Sequence, residues 1–159
     1  MVKLGIVSDS HDTSFPLERF LAIASREKYD AVFHLGDYEG DARWLEKRVS
    51  CPVIFVAGNC DMFSKVQKEA RANWEGHRIL AVHGHLQDVK YGLDRLSYYA
   101  EERGADIALF GHTHEPYAGW MGRVMLMNPG ALMNGCCGEL LLDGRRVVPM
   151  LKSLRGEKR

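Results

Sequence analysis

The sequence predicts an α/β sandwich: a mixed, largely parallel sheet facing a second, mainly antiparallel sheet, with helices outside. Three observations carry that expectation. The first third of the chain alternates short apolar runs with amphipathic stretches, which is the βαβαβ pattern of parallel strands joined by right-handed crossovers. The second half is dense in short strand-like runs broken by glycine turns. At 159 residues the chain fits one domain, 1–159, large enough to bury a core without disulfide staples.

Lys3–Ser8 reads as a buried strand, and Phe15–Lys28 as a helix with Leu17, Phe20, Leu21 and Ala24 at helical spacing. Asp30–Leu35 is a second buried strand, Asp41–Arg48 a short helix and Val53–Ala57 a third strand. Gln67–Trp74 and Arg78–His83 then flank a turn at Glu75-Gly76-His77. Leu93–Arg103 is a helix and Asp106–Phe110 a strand. Tyr117–Met121 pairs with Arg123–Met127 around Gly122, and Glu139–Leu142 with Arg146–Met150 around Asp143-Gly144, a strong hairpin signal. The charged tail Lys152–Arg159 is expected to fray.

Composition excludes several classes. Lys plus Arg and Asp plus Glu both number 21, so a protein that binds nucleic-acid polymers or membrane surfaces through a general basic excess is not expected. No stretch approaches the roughly 20 apolar residues of a membrane span, and Val2–Val7 reads as a strand rather than as the apolar core of a secretory signal. The four cysteines, Cys51, Cys60, Cys136 and Cys137, form no paired CxxC arrangement and are expected as reduced thiols, which points to the cytoplasm.

Five segments end apolar runs with metal-binding side chains: Asp9-Ser10-His11, Gly36-Asp37, Gly58-Asn59-Cys60-Asp61, His83-Gly84-His85 and Gly111-His112-Thr113-His114. From His11 to Asp37, Asn59, His83 and His112 the steps are 26, 22, 24 and 29 residues, each about one strand and its return. Successive elements should therefore deliver their donors to one edge, beyond the carboxyl ends of the strands. In extended chain, residues i and i+2 project to one side, so Asp9 with His11, His83 with His85 and His112 with His114 should each point two donors into one space. Glycine at 36 and 58 permits the close backbone approach that Asp37 and Asn59 require. Carboxylate, amide and imidazole donors together suit borderline divalent cations better than Ca²⁺.

In that order these motifs resemble the calcineurin-like metallophosphoesterase superfamily, and the short chain with its GNCD form resembles the small bacterial and archaeal phosphodiesterase subgroup. The resemblance runs from Asp9 to His114, and Asn128-Pro129-Gly130 extends it. It implies two divalent cations, Mn²⁺ foremost, with Ni²⁺, Fe²⁺, Co²⁺ and Zn²⁺ as alternatives. Asp9, His11 and His114 would hold one, Asn59, His83 and His112 the other, and Asp37 would bridge them. The implied reaction is hydrolysis of small phosphodiesters by a bridging hydroxide, with Asn59 able to donate to a phosphoryl oxygen.

One position departs from the wider superfamily, where a histidine commonly follows the GN pair. Here it is Cys60, a weak hydrogen-bond donor and a poor substitute for imidazolium. His85 is the candidate replacement, so the candidate catalytic residues are His85, Asn59 and Cys60. Asp61 is expected to orient a site group or cap the following segment rather than bind metal. His34 and His77 read as structural or solvated, Phe63 and Tyr91 as packed ahead of substrate-contacting, and Trp44, Trp74 and Trp120 as core or subunit-contact residues.

Two other functions fit the same sequence. A phosphomonoesterase would use the same cations but need a further positive charge, and none lies within the motifs. The retromer subunit, a branch of the superfamily, uses the fold as a protein-binding scaffold. The expected partner is a small phosphodiester, with no nucleic-acid polymer and no membrane, and with a homodimer or homotetramer as the expected assembly.

Overall fold

The computed structural model describes residues 1–11 and 14–155. Its first sheet has the order β10-β9-β1-β2-β3, formed by β1 (Val2–Val7), β2 (Ala31–His34), β3 (Val53–Phe55), β9 (Cys136–Asp143) and β10 (Arg146–Ser153). The second has the order β4-β5-β6-β8-β7, from β4 (Glu69–Trp74), β5 (His77–Val82), β6 (Ile107–Leu109), β7 (Tyr117–Met121) and β8 (Val124–Asn128). Helices α1 (Ser14–Glu27) and α2 (Glu39–Glu46) cover the first sheet, and α3 (Asp94–Glu102) covers the second.

The two-sheet sandwich is as expected, but the division of strand directions is not. In the first sheet β1–β2 and β2–β3 are parallel, while β9 runs antiparallel to β1 and β10 to β9. The second sheet is arranged differently: β5–β6 and β6–β8 are parallel at its centre, flanked by the antiparallel pairs β4–β5 and β7–β8 at its two edges. The crossover through α3 makes β5 and β6 parallel, and the β7–β8 hairpin returns β8 in the same direction. Each sheet thus holds one parallel triplet, β1-β2-β3 in the first and β5-β6-β8 in the second.

Period-two patterning sorts the side chains. Leu4, Ile6, Phe33 and Leu35 meet Ile79, Ala81, Leu109 and Met127 between the sheets. Val7 and Val32 point the other way, against Leu17, Phe20, Ile23 and Ala24 of α1. Ile23 thus takes the buried place expected for Leu21, which is half-buried. Leu80, Val82 and Phe110 pack beneath Leu96 and Ala100 of α3. These central strands are buried on both faces, hence their nearly unbroken apolar runs.

Element edges moved where distant groups intervene. Helix α2 begins at Glu39, two residues before the expected Asp41, because the Asp61 carboxylate accepts from the Glu39 N–H at 2.9 Å and caps the helix from outside its own sequence. The first hairpin turns on Glu75-Gly76 alone, both at positive φ (52° and 79°), so His77 enters β5 opposite Trp74. No helix of the described residues is long and apolar enough to cross a membrane. None of the four cysteines forms a disulfide.

Candidate metal centre

The five motifs meet at one rim, in loops that leave β1, β2, β3, β5 and β6. Asp9 Oδ1 lies 3.2 Å from His114 Nε2, 3.7 Å from His83 Nε2 and 3.8 Å from His11 Nε2. Asp37 Oδ2 lies 3.3 Å from His83 Nε2 and 3.7 Å from His11 Nε2. Asn59 Oδ1 is 3.0 Å from His83 Nε2, and the His112 ring centroid is 5.0 Å from that of His83. The structure therefore brings together all seven side chains expected as ligands.

Backbone conformation achieves this, in a way the extended-chain argument did not foresee. Asp9, His11, Asp37, His112 and His114 all have positive φ, between 49° and 70°. The paired donors converge because the chain curls through left-handed turns rather than because extended residues alternate. Asp and His tolerate that region better than β-branched residues, but each such residue still costs about 1 kcal/mol or more, a strain typical of functional sites. The pair His83 and His85 also fails the extended pattern, since Gly84 (φ 110°) turns the chain into a short 3₁₀ segment at His85–Gln87.

Close approach by glycine is as expected. A Cβ at Gly58 would lie 2.1 Å from Asp37 Oδ1, and one at Gly36 (φ 106°) would lie 2.8 Å from both Gly58 N and His83 Nδ1. A larger residue at 58 would therefore press on the Asp37 carboxylate, and one at 36 on the Gly58 backbone and the His83 ring.

The remaining bonds of each donor aim its free atom inward. Asp9 Oδ2 accepts from Ser8 Oγ at 2.6 Å and from the His112 N–H at 3.1 Å, leaving Oδ1 buried with no hydrogen-bond partner. His11 Nε2 is likewise buried and unpaired. Asp37 Oδ1 accepts from the Cys60 N–H at 2.9 Å, leaving Oδ2 to face the histidines. His83 Nδ1 lies 2.7 Å from the Leu35 carbonyl, which can only accept, so Nδ1 holds a proton and Nε2 is the binding atom. Buried donors without partners are rare because each costs about 1–3 kcal/mol. Here two carboxylates, four imidazoles and an amide converge around such atoms, and ligands about 2.1 Å from an ion would themselves stand about 3.0–3.4 Å apart. The residues present fit divalent cations.

The electrostatics agree. Burial by itself raises the Asp37 carboxyl, but the bond to His83 and that residue's charge outweigh it and hold Asp37 well below the usual carboxylate range. Burial likewise lowers His83, but Asp37 and Asp9 reverse the direction and raise it. Desolvation and the His83 charge lower His112 to about 4, with Lys90 adding to the effect. His85 is lowered by burial, by His83 and by Lys68. These two lysines lie outside the motifs, so the chain does bring positive charge towards the centre.

The other sequence candidates fall into place. Cys60 is exposed, and its Sγ stands within 4.8 Å of ligand atoms of His11 and Asp37. Burial and the Asp37 charge raise its pKa, so it remains a thiol at neutral pH. His85 is half-buried, its ring 5.4 Å from that of His83, with Nδ1 unpaired. Phe63 and Tyr91 are 95% and 92% exposed, so neither packs as first expected, and Tyr91 ends a short 3₁₀ segment at Val89–Tyr91. Trp44 and Trp74 pack against the core, while Trp120 on β7 is 61% exposed. His77 is structural, 2.7 Å from the Gly144 carbonyl.

Asp61 does more than the sequence indicated. Its Oδ2 accepts from the Asp37 N–H at 3.0 Å and the Gly58 N–H at 2.8 Å, while Oδ1 caps α2. One carboxylate thus ties the loops of Asp37 and Asn59 together. His34 takes the structural one of its two expected roles. Fully buried, it accepts the Gly36 N–H on Nδ1 at 3.2 Å, so the proton is on Nε2, 2.9 Å from Ser10 Oγ. It braces the Asp9 and Asp37 loops against each other. No local motif marks either role.

His34 gives a pH prediction. Burial lowers it from 6.5 to about 4, so between those values the unfolded chain takes up a proton and the folded one does not. The stability this contributes is present above pH 6.5 and is lost as pH falls. Between pH 7 and 5 the loss is about 2 kcal/mol. In EDTA-treated protein the urea midpoint of wild type should fall more over that interval than that of His34→Gln, whose amide can make the same two bonds. Equal falls would show that His34 titrates normally.

Residues 2–139 match the family model of the calcineurin-like phosphoesterase superfamily domain. A probable metallophosphoesterase of Bacillus subtilis, YsnB, is 34% identical over 80% of this chain and 73% of its own. The phosphodiesterase MJ0936 of Methanocaldococcus jannaschii is 27% identical over 87% of each chain. Among solved structures, a predicted phosphoesterase from Streptococcus pneumoniae superposes with a TM-score of 0.81 at 27% identity, covering 97% of this chain and 90% of that one. Vps29 of Entamoeba histolytica, solved with zinc, shares the fold at a TM-score of 0.77 and 16% identity, covering 96% of this chain and 99% of that one. The chain belongs to the calcineurin-like phosphoesterase superfamily and is a metallophosphoesterase.

Proposed function

We propose that the chain hydrolyses small phosphodiesters at a pair of divalent cations. Asp9, His11 and His114 hold one, Asn59, His83 and His112 the other, and Asp37 serves both. The observation that carries this reading is the pair of buried, unpartnered donor atoms, Asp9 Oδ1 and His11 Nε2, in the same hollow as Asp37 Oδ2 and His83 Nε2. When bound, two such cations supply hydroxide near neutral pH and draw charge from the phosphoryl oxygens, so no side-chain nucleophile is required. Mn²⁺ is the first choice of metal, though donor chemistry alone admits Ni²⁺, Fe²⁺, Co²⁺ and Zn²⁺.

The chain's own residues orient the phosphate. Asn59 Nδ2 faces Cys60 Sγ at 3.8 Å rather than a stronger acceptor, and is available to a phosphoryl oxygen. His85, held neutral by burial and its cationic neighbours, donates a hydrogen bond better than it supplies a proton. Cys60, a weakly donating thiol, does not replace it. Leaving groups must then depart with little help, which favours aryl over alkyl esters. Cys60→His is expected to raise turnover of an alkyl phosphodiester relative to an aryl one by at least about tenfold, short of the 10²–10⁴ of a well-placed acid. An unchanged ratio would contradict this account of the leaving group.

Lys68 and Lys90 give the phosphomonoesterase reading a specific footing, since a dianionic ester needs such charge. Assay of mono- and diesters side by side across Mn²⁺, Ni²⁺, Zn²⁺ and Mg²⁺ separates the two readings, and a diester preference is expected. The intact donor set weighs against a purely scaffolding role of the retromer-subunit kind. A cytoplasmic location and a homodimer or homotetramer are the accompanying proposals. Exposed Trp120 on edge strand β7 is consistent with a contact between copies.

A further inference from the structure

Asn128 ends β8 and is fully buried, yet its side-chain hydrogen bonds go to none of the seven donors. Its Nδ2 donates to the Gly111 carbonyl and to Thr113 Oγ1, both at 3.0 Å, and its Oδ1 accepts from the Gly130 N–H at 2.8 Å. One amide therefore grips both sides of His112. Thr113 Oγ1 also accepts from the Glu115 N–H at 3.1 Å, which closes the far side of His114. The gripped turn is strained, with His112 and His114 at φ 70° and 64°. It is also the one turn whose two donors belong to different cations in the reading above. The His112 N–H further donates to Asp9 Oδ2 at 3.1 Å, so a donor of the first cation is bonded to the backbone of a donor of the second.

We infer that Asn128 is a positioning residue that couples the two metal sites: by holding the strained 111–114 turn through Gly111 and Thr113, it fixes His112 relative to His114 and makes the cations bind as a pair. This rests on the two-cation reading. Without the amide's two donated bonds the turn relaxes towards negative φ, and the imidazoles lose their common frame. Outer partners of metal ligands are worth about 10–100-fold in affinity. The effect here should fall on the second ion to bind, because a single ion can recruit whichever donors remain.

The test is Mn²⁺ titration of metal-stripped protein, followed by EPR. Wild type should take up two Mn²⁺ and show a spin-coupled pair. Asn128→Asp keeps the acceptor for Gly130 and loses both donated bonds. It should bind its second Mn²⁺ about 10–100-fold more weakly and show an uncoupled six-line spectrum at two equivalents. Thr113→Val, which removes one of the two acceptors, should shift the second ion in the same direction by less, and Thr113→Ser should behave as wild type. If Asn128→Asp fails to fold, the Thr113 pair decides. Wild-type affinity and coupling in both Asn128→Asp and Thr113→Val, even with a lower melting temperature, would overturn the inference and leave the two-cation reading standing. A wild-type protein that takes one Mn²⁺ would overturn that reading, and the inference with it.

Discussion

Asp37→Asn is expected to lose phosphodiesterase activity and bind metal more than about 100-fold more weakly, beyond the 10–100-fold cost of an outer partner. The substitution is nearly isosteric. The amide oxygen can still accept the Cys60 N–H now taken by Oδ1 at 2.9 Å, so the local turn is preserved. Its NH₂ would instead face His83 Nε2 and His11 Nε2, now 3.3 and 3.7 Å from Oδ2, presenting hydrogens where two cations need a shared anionic oxygen. His83→Ala should cost comparable activity by deleting the most buried imidazole of the set, though it also leaves the Leu35 carbonyl without its partner. Metal content after dialysis, read beside far-UV circular dichroism, checks both. Either variant keeping full metal content and activity would remove Asp37 or His83 from the centre.

The second large effect is expected at a residue that binds no metal. Asp61→Ala strips an acceptor from three backbone N–H groups at 2.8–3.0 Å, those of Asp37, Glu39 and Gly58. Hydrogen bonds to a charged group are worth about 1.5–3 kcal/mol each, but water can replace part of them at this half-buried site, so a loss of about 3 kcal/mol is expected. Activity should fall at least about tenfold even at saturating Mn²⁺, because the loops of Asp37 and Asn59 lose their common tie. Asp61→Asn, whose single oxygen can serve only part of that set, should lie between wild type and alanine. If Asp61→Ala were destabilised yet fully active at saturating metal, Asp61 would be a helix cap and nothing more.

Much of this was legible in the chain because two periodicities dominate it. Strands buried on both faces, such as Leu4 to Val7, announce themselves as apolar runs, and the donors sit where those runs stop. The donor inventory was legible for that reason, whereas the way donors pair was not. Asp9 and His11 converge through left-handed turns, and nothing in the triplet Asp-Ser-His distinguishes a curled backbone from an extended one. Sheet direction was half legible: the α3 crossover demanded one parallel pair in the second sheet, but that β8 joins β6 in parallel depends on which neighbour β8 chooses. The roles of Asp61, His34 and Asn128 are relations between loops far apart in sequence. Asp61 contacts Asp37 and Glu39 across 24 and 22 residues, and Asn128 reaches Gly111 across 17, distances over which propensity says nothing. Lys68 and Lys90 were overlooked because they stand outside the motifs and reach the site only in the fold.

A crystal of the protein soaked with Mn²⁺ and measured at the manganese absorption edge tests the central claim most directly. Two anomalous peaks should appear, with Asp37 between them, Asp9, His11 and His114 around one, and Asn59, His83 and His112 around the other. A single peak, or two peaks that leave Asn59 or His114 out of contact, would contradict the account.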